Sequence, residues 1–525
     1  MKRTILRTAL ASLAALSLGS GLAAAQTPKK GGMLNFGVVA EPPNYDCHGS
    51  TTFALVHPVA PHYSLLVKFD GKEFPKIVPD LAESWTVAPD GMTYTFKIRS
   101  GVKFHDGSPL TSEDIKASYD RIISPPEGVV SIRKAYYSDL AVEAPDANTV
   151  VFKLKNQMAG VLEALASPFN CIYSAKKLKE NPRYPETQIM GSGPFTFVEH
   201  VKGSSWEGKR FDGYFQSGKP YLDGYKIFFV KSGGVVPGIL GGQFDSEFRG
   251  RNPSEKAQLL DKMKDNLTVH EGTWVNNLML VFNTTRKPFD DIKVRQALTM
   301  AIDRWGGSDA LSKISILKYV GGAMRPGFAM SLPESELVKL PGFAKDINKS
   351  RDAAKKLLEQ AGLKDLKFKL LNRNIPEPYT PGGVYSIDQW RRIGVTAEHE
   401  QLETKLYQER VAKGDFDVAV EFQADFMDDP TAQFSKYLTK KLSPSGYSGH
   451  TDTKIDDLYE KQRRTMNVAE RTKVVNELER YSLTQAYNVP ILWWQRIIVY
   501  NKKIQGWYMT PSHYLWQDLG DVWLQ

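Results

Sequence analysis

The chain has 525 residues, of which 42% are hydrophobic and 24% charged, so it is too long for one hydrophobic core and predicts two or three domains. Its formal charge of +9 is scattered, and the sequence contains no basic stripe or basic arm. We therefore expect no nucleic-acid partner and read the positive charge as a solubility property.

The N-terminus has the pattern of a secretory signal peptide. Three basic residues come first, Lys2, Arg3 and Arg7. A short apolar run over 9–18 follows, and alanines at 23–25 fit a cleavage site before Gln26. Ten apolar residues are too few to cross a bilayer, which needs about 20. No cysteine follows the run, so the sequence predicts a cleaved peptide over 1–25, no lipid anchor, and export to the periplasm.

A β-hairpin is the first clear element of the mature chain. Tyr94, Phe96 and Ile98 alternate with polar residues, which is the period of a half-buried strand. Trp85 and Val87 predict its partner strand. The turn between them contains Pro-Asp-Gly, in which Pro presets φ and Gly allows positive φ.

Two helices are marked by their caps. Thr111 or Ser112 can cap the first, with acidic residues in its first turn, where the helix dipole favours negative charge. Asp290 or Asp291 can cap the second. The second helix has one apolar face, formed by Val294, Ala297, Leu298, Ala301 and Ile302.

Residues 350–422 have the character of an α/β unit. Ser350 can cap a helix that ends at Gly362. A strand over 367–371, a helix over 402–412 and a strand over 417–422 follow, which predicts a βαβ unit. Further on, Asn467 and Glu470 form a capping box for a long helix to about Tyr487.

Two long motifs carry a family resemblance. Residues 81–121 read LAESWTVAPDGMTYTFKIRSGVKFHDGSPLTSEDIKASYDR, and residues 282–304 read FNTTRKPFDDIKVRQALTMAIDR. Both resemble signatures of the family 5 extracellular solute-binding proteins, which are the oligopeptide, dipeptide and nickel receptors of ABC importers. The resemblance runs from about Gly31 to the C-terminus.

The resemblance implies the architecture. It implies an α/β, two-lobed periplasmic-binding-protein fold of type II, in the large cluster, with a discontinuous first lobe and a hinged ligand cleft. We expect the first lobe over 26–277 and 489–525, and the second lobe over 278–488. The sequence has no flexible linker, so we expect ordered strands to cross between the lobes, near 273–277 and again near 488–490.

The resemblance also implies the function. The chain would capture a small peptide or peptide-like solute and deliver it to the membrane subunits of an ABC permease, as a monomer, without catalysis and without a cofactor. The same fold could instead hold a nickel complex, an oligosaccharide, an opine or a plant-derived compound. A receptor that signals to a membrane sensor is a further alternative. A secreted hydrolase is disfavoured because G-x-S-x-G and H-E-x-x-H are absent from the sequence.

The segment EFQADFMDDP, residues 421–430, resembles the family segment in which an aspartate receives the α-amino group of a peptide. Asp425 matches that aspartate. It also follows a predicted buried strand, where open α/β sheets place ligand crevices, and a carboxylate there can bind an ammonium group. Phe422 stands where relatives often carry Trp. An extra residue before Pro430 leaves open whether Asp428 or Asp429 faces the cleft.

A peptide carboxylate would need a cation. Arg249 and Arg251 follow a predicted first-lobe strand, and Arg373 follows a second-lobe strand, so each could offer its planar fork of donors. The alternative for all three is an exposed turn in which the arginine pairs with a nearby acid such as Glu247 or Asp245.

The last candidates are a tryptophan for the ligand cleft and a pair of cysteines for a disulfide. Trp493 and Trp494 should face opposite sides of a strand, and we favour Trp494 for the cleft. The loop at 46–48 could border the site. Cys47 and Cys171 could form a disulfide in an oxidising periplasm. The histidines lack ligand spacing, so no metal site is expected from these residues.

Overall fold

The structure is a computed structural model that describes residues 27–137, 139–424 and 426–525. The predicted signal peptide and Asp425 lie outside the described residues. The strands are β1 (Met33–Val38), β2 (Val67–Phe69), β3 (Ile77–Pro79), β4 (Ala82–Val87), β5 (Thr93–Ile98), β6 (Leu140–Asp146), β7 (Thr149–Leu154), β8 (Phe195–Val201), β9 (Ser205–Arg210), β10 (Gly224–Phe229), β11 (Leu267–Phe282), β12 (Leu317–Tyr319), β13 (Lys367–Arg373), β14 (Thr396–Leu402), β15 (Val418–Ala424), β16 (Asn488–Asn501), β17 (Ile504–Gln505) and β18 (Trp523–Leu524).

The α-helices range from single turns to five turns. They are α1 (Phe53–Val59), α2 (Ser112–Ile123), α3 (Lys134–Tyr137), α4 (Val161–Leu165), α5 (Ala175–Glu180), α6 (Val235–Leu240), α7 (Pro253–Met263), α8 (Ile292–Met300), α9 (Arg304–Leu311), α10 (Glu334–Leu337), α11 (Ile347–Gln360), α12 (Tyr379–Arg391), α13 (Thr404–Lys413), α14 (Pro430–Gln433), α15 (Thr453–Arg463) and α16 (Val468–Gln485).

Two four-stranded sheets build the first part of the chain. One has the order β1-β10-β9-β8, and the other is an antiparallel sheet with the order β4-β5-β7-β6. The predicted hairpin is confirmed as β4 and β5, and the inward residues of β5 are buried as its alternation predicted. Together these sheets enclose a large hydrophobic cluster, the first core, which extends from Leu34 to Val522.

A six-stranded mixed sheet lies in the middle of the chain, with the order β12-β16-β11-β15-β13-β14. β13 pairs in parallel with both β14 and β15, which confirms the expected βαβ organisation. The sequence prediction missed α12 and β14, which lie between β13 and α13. Helices pack on this sheet and form the second core, which extends from Trp274 to Trp494.

The longest strands, β11 and β16, run through both parts of the molecule as one antiparallel pair. At one end, Leu267 pairs with Asn501, and neighbouring β16 residues pack with α6 and α7 and into the first core. At the other end, Val281 pairs with Asn488 beside the second core. The register breaks between Thr273 and Asn277, where a bulge bends and twists a strand pair.

The register break coincides with the first crossing expected from the sequence. On β16, the residues opposite the break are 493–495 rather than 488–490, because β16 already packs on the second core from Val489 onward. We therefore propose that the lobe boundary on β16 falls between Trp494 and Ile497. The remaining boundaries of the predicted division stay predictions.

Most helix caps are those predicted from the sequence. Thr111 and Asp114 form a capping box at α2, Asp291 caps α8, and Asn467 caps α16. The cap predicted at Ser350 is wrong. α11 begins one turn earlier, at Ile347, because the Asp346 side chain accepts a hydrogen bond from the backbone N–H of Lys349.

The loop at 46–48 is fixed to the first core. Cys47 and Cys171 are joined by a disulfide with a Cα–Cα distance of 6.1 Å. Beside it, the buried Asp46 carboxylate pairs with Arg121 at 2.6 Å and accepts a hydrogen bond from the Tyr173 hydroxyl at 3.0 Å. Burial alone would raise the pKa of Asp46, but His48, Arg121 and Tyr173 outweigh it and lower that pKa. This loop is therefore held by its own network.

Within the described ranges, none of the helices combines the length and the apolar character that a membrane crossing requires.

Removing the disulfide should destabilise the first lobe. A Cys47→Ala/Cys171→Ala variant loses a cross-link between residues 124 positions apart, and a disulfide that closes so long a loop typically contributes about 2–4 kcal/mol. We expect the thermal unfolding midpoint of the mature protein to fall by several degrees. Adding a reductant should lower the midpoint of the wild type to a similar value and leave the variant unchanged. Equal midpoints for oxidised wild type and variant would contradict a stabilising role.

Candidate functional site

Four aromatic side chains of the second core meet beside the register break of β11 and β16. We call them the aromatic wall: Trp274, Tyr379, Phe422 and Trp494. Trp274 meets Trp494 edge-on at 5.6 Å, and Trp494 stacks on Phe422 at 6.3 Å. Tyr379, at the start of α12, contacts both Phe422 and Trp494 edge-on. Such pairs add about 0.5–1.5 kcal/mol each beyond buried area, so the wall is a rigid apolar surface.

A charged group borders the wall on the second-lobe side. Arg373, at the end of β13, forms an ion pair with Glu421 and lies 5.2 Å from the centre of the Phe422 ring. Lys436 pairs with the same carboxylate and lies 4.3 Å from that ring. Burial alone would raise the pKa of Glu421, but the two cations lower it to about 2. The positive charge of Arg373 is therefore already balanced by a carboxylate of the same chain.

Arg249 borders the wall on the first-lobe side. Its guanidinium lies 4.7 Å from the centre of the Phe53 ring and 5.5 Å from that of Trp274. Its backbone is also held, because its N–H donates to Glu247 at 3.1 Å and its carbonyl accepts from Arg496 at 3.1 Å. Among the described residues, no carboxylate lies within ion-pair distance of Arg249, which distinguishes it from its neighbour Arg251.

Arg251 is buried and paired. Its guanidinium forms an ion pair with Glu247 and lies 3.4 Å from Glu255. Burial would raise the pKa of Glu247, but Arg251 first, and then His57, lower it. The structure thus pairs Arg251 with Glu247, as the alternative to ligand contact had it, but buries the pair and does not leave it in an exposed turn.

The two aspartates after Asp425 both have arginine partners. Asp428 pairs with Arg325 at 2.6 Å, and Arg325 also donates to Thr273 at the register break, at 2.7 Å. Burial raises the pKa of Asp428 to about 6, although Arg325 opposes the rise. Asp429 pairs with Arg471 at 2.9 Å and caps α14. Asp428 is the one that lies beside the crossing strands.

Several buried polar atoms around the crossing have no hydrogen-bond partner within the described part of the chain. They include Arg249 Nε, Trp494 Nε1 and Asp428 Oδ1. Trp493, in contrast, donates its indole N–H to the Gly322 carbonyl at 3.0 Å. Because buried polar groups in native proteins are usually paired, each of these atoms can take one further hydrogen-bond partner. Trp494, the tryptophan favoured from the sequence, is 2% exposed and packs in the second core.

The two residues that follow Asp425 in the sequence pack in the first core. Phe426 and Met427 belong to the first core, and the Phe426 ring lies 6.5 Å from that of Phe169. The Arg133 guanidinium lies 3.7 Å from the Phe169 ring and 5.7 Å from the Phe426 ring. The lobes are therefore in contact beside the predicted ammonium-binding residue.

A second contact between the lobes, which we call the seam, lies farther out. The Ala159 N–H donates to the Arg463 carbonyl at 2.7 Å, and Arg463 also contacts Met158 Sδ at 3.4 Å. Gly160 fits closely against the Asp429 carboxylate, since a Cβ on Gly160 would lie 3.3 Å from Asp429 Oδ2. Residues of the two predicted lobes therefore contact each other at the seam.

A buried carboxyl group holds the loop that carries Arg325. Glu479, on α16, accepts hydrogen bonds from the backbone N–H groups of Met324 and Leu332, both at 2.9 Å. Burial raises the pKa of Glu479 to about 7, while the backbone hydrogen bonds oppose the rise. This group fixes the backbone at Met324, next to Arg325, which in turn pairs with Asp428.

Sequence reasoning missed part of this site. Phe53, Tyr379, Lys436 and Arg325 carried no motif, and only Trp274 lay within a predicted crossing. Asp425 itself is outside the described residues, and Phe422, Asp428, Arg249, Arg251, Arg373 and Trp494 remain predictions as ligand contacts. In the ranges that the structure describes, no cluster of three or more His, Cys, Asp or Glu side chains could hold a metal ion.

The chain is similar to a known family and to known receptors. Residues 76–444 match the sequence model of the bacterial extracellular solute-binding proteins, family 5 Middle. The dipeptide-binding protein of Escherichia coli K12 is 27% identical over 479 residues, covering 86% of this chain and 87% of that protein. The di/tripeptide-binding protein 1 of Pseudomonas aeruginosa is 26% identical over 448 residues, covering 79% and 80%.

Solved structures share the fold. The dipeptide-binding protein of Pseudoalteromonas sp. SM9913, in complex with Met-Leu, has a TM-score of 0.80 at 21% identity and covers 94% of this chain and 100% of that one. AgaA of A. tumefaciens R10, in complex with agropinic acid, has a TM-score of 0.79 at 24% identity, covering 94% and 99%. The predicted α/β, two-lobed periplasmic-binding-protein fold of type II is confirmed.

The Glu479 carboxyl should make stability depend on pH. Its folded pKa of about 7 exceeds the ordinary 4.5, so its contribution is fully present below pH 4.5 and is lost as pH rises through 7. The difference corresponds to about 3 kcal/mol. A Glu479→Gln variant should lose this part of the decline in the melting temperature between pH 5 and 8. The matched control is Glu477→Gln, at an exposed position of the same helix, and it should keep the wild-type profile. An unchanged slope in Glu479→Gln would contradict the assignment.

Proposed function

Since the chain belongs to the bacterial extracellular solute-binding proteins of family 5, we propose that it is the substrate-binding component of an ABC importer that captures a small peptide or peptide-like solute between its lobes. One observation carries the proposal: the two lobes jointly supply an aromatic wall, charged side chains and buried unpaired polar atoms at the strand crossing. The relatives named for dipeptides and di/tripeptides support a peptide as the cargo.

Asp425 is the proposed receiver of the α-amino group. It follows β15, and its neighbours Phe422 and Phe426 face the aromatic wall and the first core respectively. An aspartate carboxylate can form a charge-assisted hydrogen bond to an ammonium group, and such a bond is stronger where water is largely excluded. The family resemblance of residues 421–430 supports the same role.

Closure of the lobes would couple binding to transport. The solute stabilises the closed form only by its higher affinity for that form than for the open one. The seam and the contact of Phe426 with the first core supply part of the closed-state energy without touching the solute. A micromolar receptor needs about −8 kcal/mol of binding free energy, which two charged anchors and aromatic packing can supply.

The proposed setting is the periplasm. The basic, apolar and small-residue pattern of 1–25 supports export and cleavage, and the family is one of extracellular receptors. The closed, loaded chain would act as a monomer and present its surface to permease subunits in the membrane. It would bind its solute and release it chemically unchanged.

Ligand screening tests the function. The mature protein is heated with dipeptides, tripeptides, sugars or metal chelates, and a solute that binds only the native state raises the melting temperature according to RT ln(1 + [L]/Kd). We expect dipeptides or tripeptides to raise it. In solution scattering, the same solutes should reduce the radius of gyration. If only sugars or metal chelates raise the melting temperature, the proposed peptide cargo is wrong. If a solute is recovered in chemically altered form, the proposed receptor role is wrong.

Phe422 should contribute directly to affinity. A Phe422→Ala variant loses stacking on Trp494 and the cation contacts of Arg373 and Lys436. We expect peptide affinity, measured by calorimetry, to fall about tenfold, which corresponds to ~1.4 kcal/mol. Phe211→Ala is the control, because that half-buried ring packs on His105 in the first lobe. Equal peptide affinities for the two variants would show that Phe422 does not contact the solute.

The seam should control closure without contacting the solute. In Gly160→Leu, a side chain would collide with Asp429 and hold the lobes apart, so affinity should fall about tenfold (~1.4 kcal/mol) and scattering should show a larger radius. Gly101→Leu carries the same backbone strain, at a φ of +77° against +81°, but has open space around its Cβ. Similar affinity losses in both variants would show that backbone strain, not closure, is responsible.

A further inference from the structure

Residues 321–332, which we call the strap, lie between β12 and α10 and include Arg325. We propose that the strap responds to protons: it holds Arg325 against β11 when the Glu479 carboxyl is neutral, and it loosens when that carboxyl is ionised. Resting on the proposed function, this device regulates capture, so that the solute is held more tightly in a mildly acidic than in a mildly alkaline medium.

One carboxyl group joins the two ends of the strap. Glu479 lies on α16 and is fully buried. One of its oxygens accepts a hydrogen bond from the Met324 N–H and the other from the Leu332 N–H, both at 2.9 Å. The strap also packs directly on this group, since a Cβ on Gly322 would collide with the Glu479 carboxyl. The strap therefore cannot shift without disturbing these hydrogen bonds.

The strap carries Arg325 to the strand crossing. Arg325 donates to Thr273 Oγ1 at 2.7 Å, at the register break of β11, and pairs with Asp428 at 2.6 Å. Thr273 belongs to the first predicted lobe and Arg325 to the second. Because Met324 precedes Arg325 and is bonded to Glu479, a shift of the strap would move Arg325 away from both of its partners.

Glu479 differs from the other buried glutamates in its surroundings. Glu247 pairs with Arg251, and Glu421 pairs with two cations. Over the part of the chain that the structure describes, no Lys, Arg or His side chain lies within ion-pair distance of Glu479. A buried charge without a partner is costly, so it matters for the strap whether it encloses a neutral or an ionised carboxyl.

The groups that face Glu479 favour its neutral form near neutral pH. Burial raises the pKa of Glu479 to about 7, and the backbone N–H groups of the strap, followed by Arg480, oppose the rise. Arg480 itself lies 3.8 Å from Glu336. Burial and then Glu479 raise the pKa of Tyr437, although Arg304 opposes this, so the Tyr437 phenol stays neutral. Glu479 is thus the member of this group that titrates between pH 6 and 8.

Asp428, at the far side of Arg325, titrates lower. Burial raises the pKa of Asp428 to about 6, Arg325 opposes the rise, and Asp429 adds to it. Its contribution is therefore present below its ordinary 3.8 and is lost as pH rises through 6. It has the same sign as that of Glu479 but adds only about twofold between pH 6 and 8.

The sign of the response follows from proton linkage. In the loosened strap water reaches Glu479, and its pKa returns towards the ordinary 4.5. Protonation therefore favours the ordered strap, whose advantage is fully present below pH 4.5 and is lost as pH rises through 7. With these two values, the equilibrium between the ordered and the loosened strap shifts about tenfold between pH 6 and 8.

Hydrogen exchange tests the strap without any solute. The Met324 and Leu332 amides are followed in the mature protein at pH 6 and 8, and the rates are corrected for the pH dependence of exchange itself. We expect about tenfold lower protection at pH 8. In Glu479→Gln the protection should change at most about twofold, whereas Glu477→Gln, at an exposed position of the same helix, should behave as the wild type. Equal protection at both pH values in the wild type overturns the inference.

A second variant changes the same contact from the side of the strap. In Gly322→Ala, the added methyl group would displace the Glu479 carboxyl from the two amides. Their protection at pH 6 should fall to about the wild-type level at pH 8 and should then hardly change with pH. A pH response as large as that of the wild type in a folded Gly322→Ala protein overturns the assignment to Glu479.

Calorimetry with Met-Leu tests the regulation of capture. The affinity of the wild type should fall about three- to tenfold from pH 6 to 8, and that of Glu479→Gln at most about twofold. Titration of the dipeptide itself is common to both proteins and cancels in the comparison. An equal fall in both proteins overturns the regulation of capture and leaves peptide binding standing. If Met-Leu binds to none of the proteins, the proposed dipeptide cargo is wrong, and hydrogen exchange alone decides on the strap.

Discussion

The whole arrangement depends on one pair of strands. β11 and β16 are hydrogen-bonded along most of their length. Both strands pack in the second core, and β16 also reaches the first core through Ile498 and Tyr500, so the lobes cannot separate without breaking this ladder. The register of the ladder shifts at two places, between Thr273 and Asn277 and between Leu278 and Met279, and the first shift leaves the longer unpaired stretch. Because a bulge bends and twists a strand pair, we propose that the lobes hinge at this first shift.

The candidate site follows from the same crossing. Trp274 and Trp494 come from the two strands at the bulge, and they form the surface on which Phe422 and Tyr379 pack. Most charged side chains around this surface form ion pairs within the protein, as Glu421 does with Arg373 and Lys436. Buried pairs contribute little net stability, but breaking one is costly, so they hold the surrounding rings and backbone in defined positions. A solute would meet a surface that needs little rearrangement.

Local signals in the sequence predicted local structure well. The alternation in Tyr94, Phe96 and Ile98 predicted β5, and the caps at Thr111 and Asp291 were correct, because these features depend on neighbouring residues alone. The cap at Ser350 was wrong since Asp346, one turn earlier, offers an equally suitable oxygen. The second crossing stays a prediction: residues 493–495 of β16 lie opposite the register break, and the sequence does not reveal which residues of β11 stand opposite.

The sequence by itself determined the family, the α/β class, the two lobes and a short list of candidate ligand contacts, since motifs and periodicity are properties of contiguous residues. The tertiary structure alone decided which candidates are already paired. Arg249, Arg251 and Arg373 look equivalent in the sequence, yet Glu247 and Glu421 pair with Arg251 and Arg373 and leave Arg249 between two aromatic rings. The reason is physical: an ion pair such as that of Arg373 with Glu421 depends on which strands lie side by side in the sheet, and that is settled only when the chain folds.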